Sequence, residues 1–215
     1  MMAVRVDLNI SLDGFATTTD QTPEKPFGDD WPRLVAAYAA TRTFRSRVLG
    51  DDSGAGTTGV DEKYAHAYFE GVGAEIMGAG MFGLHQNVDD REWRGWWGET
   101  PPFEVPVYVL THTTRDSIEF ANDTVFHFVD AAPEEILPRA IDAADGGDVR
   151  IGGGVNVVRQ FLRAGLVDRV HLAVAPLVLG SGERIWEGLR GLENGYEVHS
   201  EVAESGVTHV TFERR

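Results

Sequence analysis

Apolar and polar residues alternate from Val4 to Ser11 (VRVDLNIS), the period of two that predicts a strand, and Asp13-Gly14 then turns the chain. From Asp13 to Gly59 the pattern is irregular apart from a helical stretch, Trp31 to Ala40. Tyr64, Ala65, Ala67, Tyr68 and Phe69 predict a helix over about Asp61 to Gly71, followed by an apolar strand, Ala74 to Met77, and glycines at 78, 80 and 83. Glu92 to Pro106, rich in Trp and Pro, reads as a long excursion before the strand Val107 to Thr111. A strand at Val125 to Val129 and a helix around Pro133 to Ala144 follow. Val149 to Ile151 is a brief strand, Gly152-Gly153-Gly154 a turn, and Val155 to Ala164 a helix with Val155, Val158, Phe161 and Leu162 on its apolar side. The chain closes with an apolar strand, Arg169 to Ala175, and two alternating segments, Tyr196 to Val202 and Val207 to Phe212, separated by Ser205-Gly206 as in a hairpin. There is no internal repeat and no second domain boundary, so the expectation is one α/β domain over 1–215 with a loop-rich insertion at about 20–60.

Composition narrows the partners. At 215 residues and 42% hydrophobic content the chain can bury a sizeable core. Nineteen basic against 34 acidic residues give a formal charge of −15, which opposes binding to nucleic acid or an anionic membrane. The absence of cysteine excludes disulfides and thiolate metal sites, so redox chemistry requires a borrowed cofactor. Met1 to Asp7 lacks the apolar run of a signal peptide, and no segment is apolar over the roughly 20 residues a membrane helix needs. A cytoplasmic protein acting on a small molecule is the expectation.

Strand, glycines, helix is an arrangement suited to a dinucleotide. Gly152, Gly153 and Gly154 let backbone N–H groups approach a diphosphate at the positive end of the following helix, although a tight turn would ask for the same residues. Asp51-Asp52-Ser53-Gly54-Ala55-Gly56 lacks the Lys-Ser/Thr ending of a P-loop and reads as mobile surface. The seven histidines show no metal-ligand spacing, and Ser181 lacks the frame of a hydrolase elbow.

Ser11-Leu12-Asp13-Gly14, Glu75-Ile76-Met77-Gly78, Val107-Tyr108-Val109-Leu110-Thr111, Ile151-Gly152-Gly153-Gly154 and Val170 to Gly182 (VHLAVAPLVLGSG) together resemble, in order, the landmarks of the dihydrofolate-reductase-like superfamily. The branch related to the reductase domain of riboflavin biosynthesis is the more similar one. The resemblance spans nearly all the chain outside roughly 20–60. It implies a three-layer α/β/α fold: a central, mostly parallel sheet flanked by helices, with a C-terminal antiparallel hairpin. It also implies NADPH as cofactor, with NADH possible. Gly78, Ala79, Gly80 and Met81 would face its phosphates, Thr111 and His112 its adenosine, and Gly152, Gly153, Gly154, Val155 and Asn156 its diphosphate. Asn9 and Gly14 also fall on the cofactor side.

One departure bears on the cofactor. The family commonly has an arginine after the glycine that ends the second strand, reaching the 2′-phosphate, and this chain has Ala79. Arg115 or another nearby base is a substitute, or the protein prefers NAD, a flavin-like ligand or no dinucleotide.

Two acids are candidates for the catalytic role. Glu62 falls beside the position of the family's pterin-binding acid, with Asp61 one residue away; acids also suit an ordinary helix start. Asp13 lies in a turn that, in the riboflavin branch, borders nicotinamide and substrate; it equally suits a turn before Gly. Trp93, Trp96 and Trp97 fit one helical turn as an aromatic wall, or packing on the core or a dimer interface. The leading reading is an NAD(P)H-dependent reductase of a small heterocyclic or carbonyl acceptor. The alternative is a non-catalytic binder that kept the fold. The resemblance further implies a homodimer, with the Trp-rich segment and the strand Val170 to Ala175 as candidate surface.

Overall fold

The computed structural model describes residues 2–17, 21–22, 25, 27–87 and 89–215. Its elements run β1 (Val4–Ser11), β2 (Phe15–Thr17), α1 (Trp31–Leu34), α2 (Ala36–Ala39), α3 (Arg42–Arg47), α4 (Val60–Phe69), β3 (Val72–Gly78), α5 (Ala79–Phe82), β4 (Pro106–Leu110), β5 (Ile118–Glu119), β6 (Val125–Val129), α6 (Pro133–Ala143), β7 (Asp148–Gly153), α7 (Val155–Arg163), β8 (Arg169–Ala175), β9 (Glu183–Arg184), a 3-10 turn at Leu192–Gly195, β10 (Tyr196–Val202) and β11 (Thr208–Arg214). Nine strands form one sheet in the order β10-β11-β8-β1-β7-β3-β4-β6-β5. The six strands from β8 to β6 are parallel, while β10, β11 and β5 pair antiparallel. The mostly parallel sheet with a C-terminal hairpin is the one the family resemblance implies; β2 and β9 make a separate two-stranded ribbon.

Alternation gives the sheet two unlike faces. Val4, Val6 and Ile10 of β1 join Val149 and Ile151 of β7 and Val170 and Leu172 of β8 in an apolar cluster beneath α6 and α7. Helix α7 seats Val155, Val158, Phe161 and Leu162 there, each nearly fully buried, and burial of such a side chain is worth about 1.5–3 kcal/mol. The opposite phase carries Arg5, Asp7 and Asn9 of β1, Glu75 of β3, Arg150 of β7 and His171 of β8. Glu75 and Arg150 are ion-paired and almost wholly buried, and Arg150 also lies over the Tyr68 ring at 3.7 Å. A second apolar cluster, with Met77, Phe82, Phe126 and Phe128 at its centre, closes the β4–β6 end.

Several local expectations are revised. The Trp31 to Ala40 stretch is two short helices broken at Val35, and the segment read as irregular also holds β2 and α3, the latter begun by the Thr41 hydroxyl accepting from Phe44 N–H. Of the 20–60 insertion, residues 20, 23, 24 and 26 lie outside the described residues, as does Met1. The strand expected at Val149 to Ile151 runs on to Gly153, because Glu75, Ile76 and Met77 pair along it. The Trp segment is not helical. Trp93 and Trp96 instead donate their indole N–H groups to the carbonyls of Phe82 and Met81, and Trp97 stacks on Phe126, so Trp93 and Trp97 pack on the second cluster and Trp96 packs edge-on against Trp93. The strand Val170 to Ala175 lies between β1 and β11, so neither of its edges is free.

Candidate functional site

A cleft of about 1750 Å³ opens on the polar side of the sheet. Its wall at the carboxyl ends of the parallel strands is formed by the β3–α5 and β7–α7 junctions. Gly152, Gly153, Gly154, Val155 and Asn156 all line it, as do Gly78, Ala79, Gly80 and Met81 across the way and Thr111 and His112 beyond β4. Asn9, on β1, lines it too. The sequence expectation thus converges on one surface for twelve residues of the cofactor side, leaving out Gly14.

Local geometry explains the glycines. Gly153 has φ +135°, open only to glycine, and a Cβ there would stand 3.0 Å from Met81 Sδ. A Cβ on Gly152 would strike the Glu75 carboxylate at 2.1 Å, and one on Gly78 would press on Val157 at 3.0 Å. These three are therefore required by the protein's own packing. Gly154 is different, since a Cβ there meets nothing within 4 Å and φ is an ordinary −61°. The peptide between Gly153 and Gly154 is cis. Gly154 caps α7 without any side-chain bond, so the first-turn N–H groups around Val155 and Asn156, which no helix satisfies internally, border open cleft. Donors at a positive helix end beside unfilled space fit a diphosphate.

Toward the adenosine side, Thr111 donates its N–H to Val129 O, and exposed His112 meets Asp130 at 2.9 Å. Ala79 leaves no cation at its position. Arg115 lines the cleft, yet its guanidinium donates to the carbonyls of Arg91 and Trp93 and lies over the Phe128 ring at 4.2 Å. Burial lowers its pKa. Arg115 is thus engaged in holding the Trp segment.

The two acids singled out by sequence stand apart from the cleft lining. Asp13 accepts from the N–H groups of Leu179 at 3.1 Å and Gly180 at 2.7 Å, tying the β1–β2 turn to the chain after β8. Its bond to Ser11, and those from Gly180 and Leu179, lower its pKa to about 2, so at neutral pH it is an ionised brace. Gly14, at φ +86°, faces Trp186. Glu62 accepts from Thr43 N–H at 2.9 Å and Thr43 Oγ at 2.8 Å, joining α4 to α3.

Asp61, one residue earlier, faces the cleft and ends a row that spacing in the sequence did not suggest. Asp7 Oδ1 lies 3.2 Å from His171 Nδ1, His171 Nε2 lies 2.9 Å from His209 Nδ1, and His209 Nε2 lies 3.0 Å from Asp61 Oδ1. Four elements build it: β1, β8, β11 and α4. Register sets it directly, because Asp7 pairs with His171 and His209 with Ala173, two residues along the same face. The Tyr64 ring stacks on both imidazoles, with centroids 4.4 and 4.1 Å away and planes within 7°. All five side chains line the cleft. Burial lowers the pKa of His209 against the opposing pull of its bond to Asp61. Burial works to raise Asp7, and the hydrogen bond and charge of His171 with the charges of Arg5 and Arg150 outweigh it, leaving that pKa below the usual carboxylate value. Among the described residues no cluster of three or more such groups has the arrangement of a metal site.

A family model described as the RibD C-terminal domain matches residues 2–209. Among curated proteins, the uncharacterized protein YyaP of Bacillus subtilis is 27% identical over 120 residues, which cover 53% of this chain and 62% of that protein, less than two thirds of its length. Among solved structures, a riboflavin-biosynthesis-type protein from Shewanella sp. PV-4 superposes with a TM-score of 0.63 at 22% identity, covering 100% of this chain and 99% of its own. Dihydrofolate reductase from Enterococcus faecalis, in complex with NADP(H), gives a TM-score of 0.54 at 13% identity over 99% of this chain and 96% of its own. These structural likenesses show the fold.

Proposed function

The chain belongs to the RibD C-terminal domain family, and from that premise we propose that it is an NAD(P)H-dependent oxidoreductase reducing a small pterin-like, pyrimidine-like or carbonyl acceptor. The observation that carries this reading is the clearance at Gly154, where a helix end with no side-chain cap borders the cleft on the wall the family resemblance assigns to a diphosphate. Val155 and Asn156 N–H groups would hold that diphosphate, Gly78 to Met81 the facing phosphates, and Thr111 and His112 the adenosine. Bound there, a reduced nicotinamide supplies a hydride. This chain's own residues supply orientation and protons: Asn9 and the Asp7–His171–His209–Asp61 row line the same cleft and are among the groups available to an acceptor.

With Ala79 in place of a cation, NADPH and NADH are both within the reading, NADPH first. No helix among the described residues is long and apolar enough to cross a membrane. A cytoplasmic homodimer is part of the proposal, tested by sedimentation at several concentrations.

The test is an acceptor screen with purified protein and NADPH or NADH, using reduced and oxidised pterins, aminopyrimidinones and simple carbonyls, followed by loss of nicotinamide absorbance. Turnover with one class supports the reading. Dinucleotide binding without turnover on any class favours the fold-retaining binder that Ala79 suggests.

A further inference from the structure

Proton counting singles out the row from Asp7 to Asp61. Its three contacts each need one proton between two heavy atoms. Two ionised carboxylates with two neutral imidazoles hold only two. If those two protons sit toward the carboxylates, the lone pairs of His171 Nε2 and His209 Nδ1 face each other at 2.9 Å. With two imidazolium rings, N–H would face N–H across the same gap. All three contacts become hydrogen bonds together only with three protons, one more than these groups hold in their ordinary neutral-pH states.

A third proton would have no fixed owner. Shifting each hydrogen within its own bond moves the excess from the Asp7 end to the Asp61 end with no heavy atom displaced, the behaviour of a coupled titrating unit. The Tyr64 ring, stacked on both imidazoles, keeps them within 11° of coplanar and favours a positive charge beneath it. Facing charged and titratable groups are Arg5 on β1, Arg150 on β7, Glu75 on β3, Tyr38 and Tyr68 from the helices, and Glu201 on β10, which Lys63 of α4 pairs.

We propose that Asp7, His171, His209 and Asp61 form one acid site on the cleft wall, holding a shared proton that is delivered to the acceptor. The proton's destination rests on the reductase reading, whereas its presence does not. On that reading, the carbon of the acceptor's C=N or C=O bond would take the hydride that a bound reduced nicotinamide gives up as it is oxidised. The adjoining nitrogen or oxygen takes the proton, the row drops from three protons to two, and solvent restores the third. The acceptor class is therefore one whose reduced heteroatom must be protonated, an imine or a carbonyl.

The experiment is imidazole nitrogen NMR on full-length protein labelled at histidine, titrated across neutral pH, with calorimetric NADPH titration of the same samples. His171 and His209 should change together in one step. In His209→Gln or the milder Asp61→Asn, with amide spectra confirming the fold, the ring-nitrogen signals of His171 should change as well. Two fixed neutral tautomers at neutral pH, or two independent titrations indifferent to either substitution, overturn the site. A shared proton without NADPH binding would instead overturn the reductase reading and leave the acid site standing; NADPH binding beside independently titrating histidines overturns the acid site alone.

Discussion

Asp61 Oδ1 lies 3.0 Å from His209 Nε2, a bond between residues 148 positions apart that fastens helix α4 to the last strand of the sheet. Its neighbour Glu62 points to Thr43 instead. One step along a helix turns a side chain by about 100°, and that rotation divides a cleft acid from a structural one.

The division is measurable. Glu62→Ala should destabilise the protein by about 1–3 kcal/mol, the range for bonds to a charged acceptor, while leaving NADPH affinity unchanged. Urea unfolding and calorimetry on the same sample check it; a change in affinity without a change in stability would return Glu62 to the site.

Asp13 gives a pH signature. Its folded pKa, about 2, lies below the usual carboxylate value of 3.8, so its contribution to stability is present above that value and is lost as pH falls toward 2. Unfolding midpoints measured from pH 5 downward should therefore drop less steeply in Asp13→Asn than in the parent. Parallel curves would mean that the turn is not held by the ionised carboxylate.

Arg150→Leu should leave Glu75 buried and unpaired. Burial already pushes the Glu75 pKa up even beside Arg150, and removing one partner of such a pair costs about 3–5 kcal/mol. Chemical denaturation reads the loss, and the double replacement Glu75→Gln with Arg150→Leu should recover part of it.

The fold was largely legible, because its strands alternate cleanly and its helices carry apolar stripes. Val125–Val129 and Arg169–Ala175 match their predicted bounds, and Val155–Arg163 ends one residue early. Short elements such as β2, β5, β9 and α3 escaped, since two to six residues give periodicity nothing to repeat. The polar row was harder to see because its members come from four distant segments. A signal did exist: Arg5, Asp7 and Asn9, like His171, are polar residues on strands inside the sheet, and a parallel sheet ordinarily has both faces covered. Charged residues at covered positions imply partners across the sheet, even when spacing along the chain shows none.

Ala79→Arg tests where the 2′-phosphate lies. A charge-assisted contact of about 1.5–3 kcal/mol should tighten NADPH roughly tenfold or more relative to NADH. An unchanged ratio would place that phosphate elsewhere, and calorimetric titration with both dinucleotides decides.

The most direct measurement is calorimetric titration of the parent protein and Gly154→Asp with NADPH. Because a Cβ at Gly154 meets no atom within 4 Å beyond its chain neighbours and φ there suits any residue, both Gly154→Asp and Gly154→Ala should fold, with Asp favourable at this helix-capping position and Ala costing about 1 kcal/mol. The carboxylate that Gly154→Asp introduces, however, would sit against the diphosphate. Saturable binding to the parent and to Gly154→Ala, weakened at least tenfold in Gly154→Asp, is the predicted result. No binding to the parent, or equal binding to a correctly folded Gly154→Asp, would contradict a dinucleotide site at the start of α7.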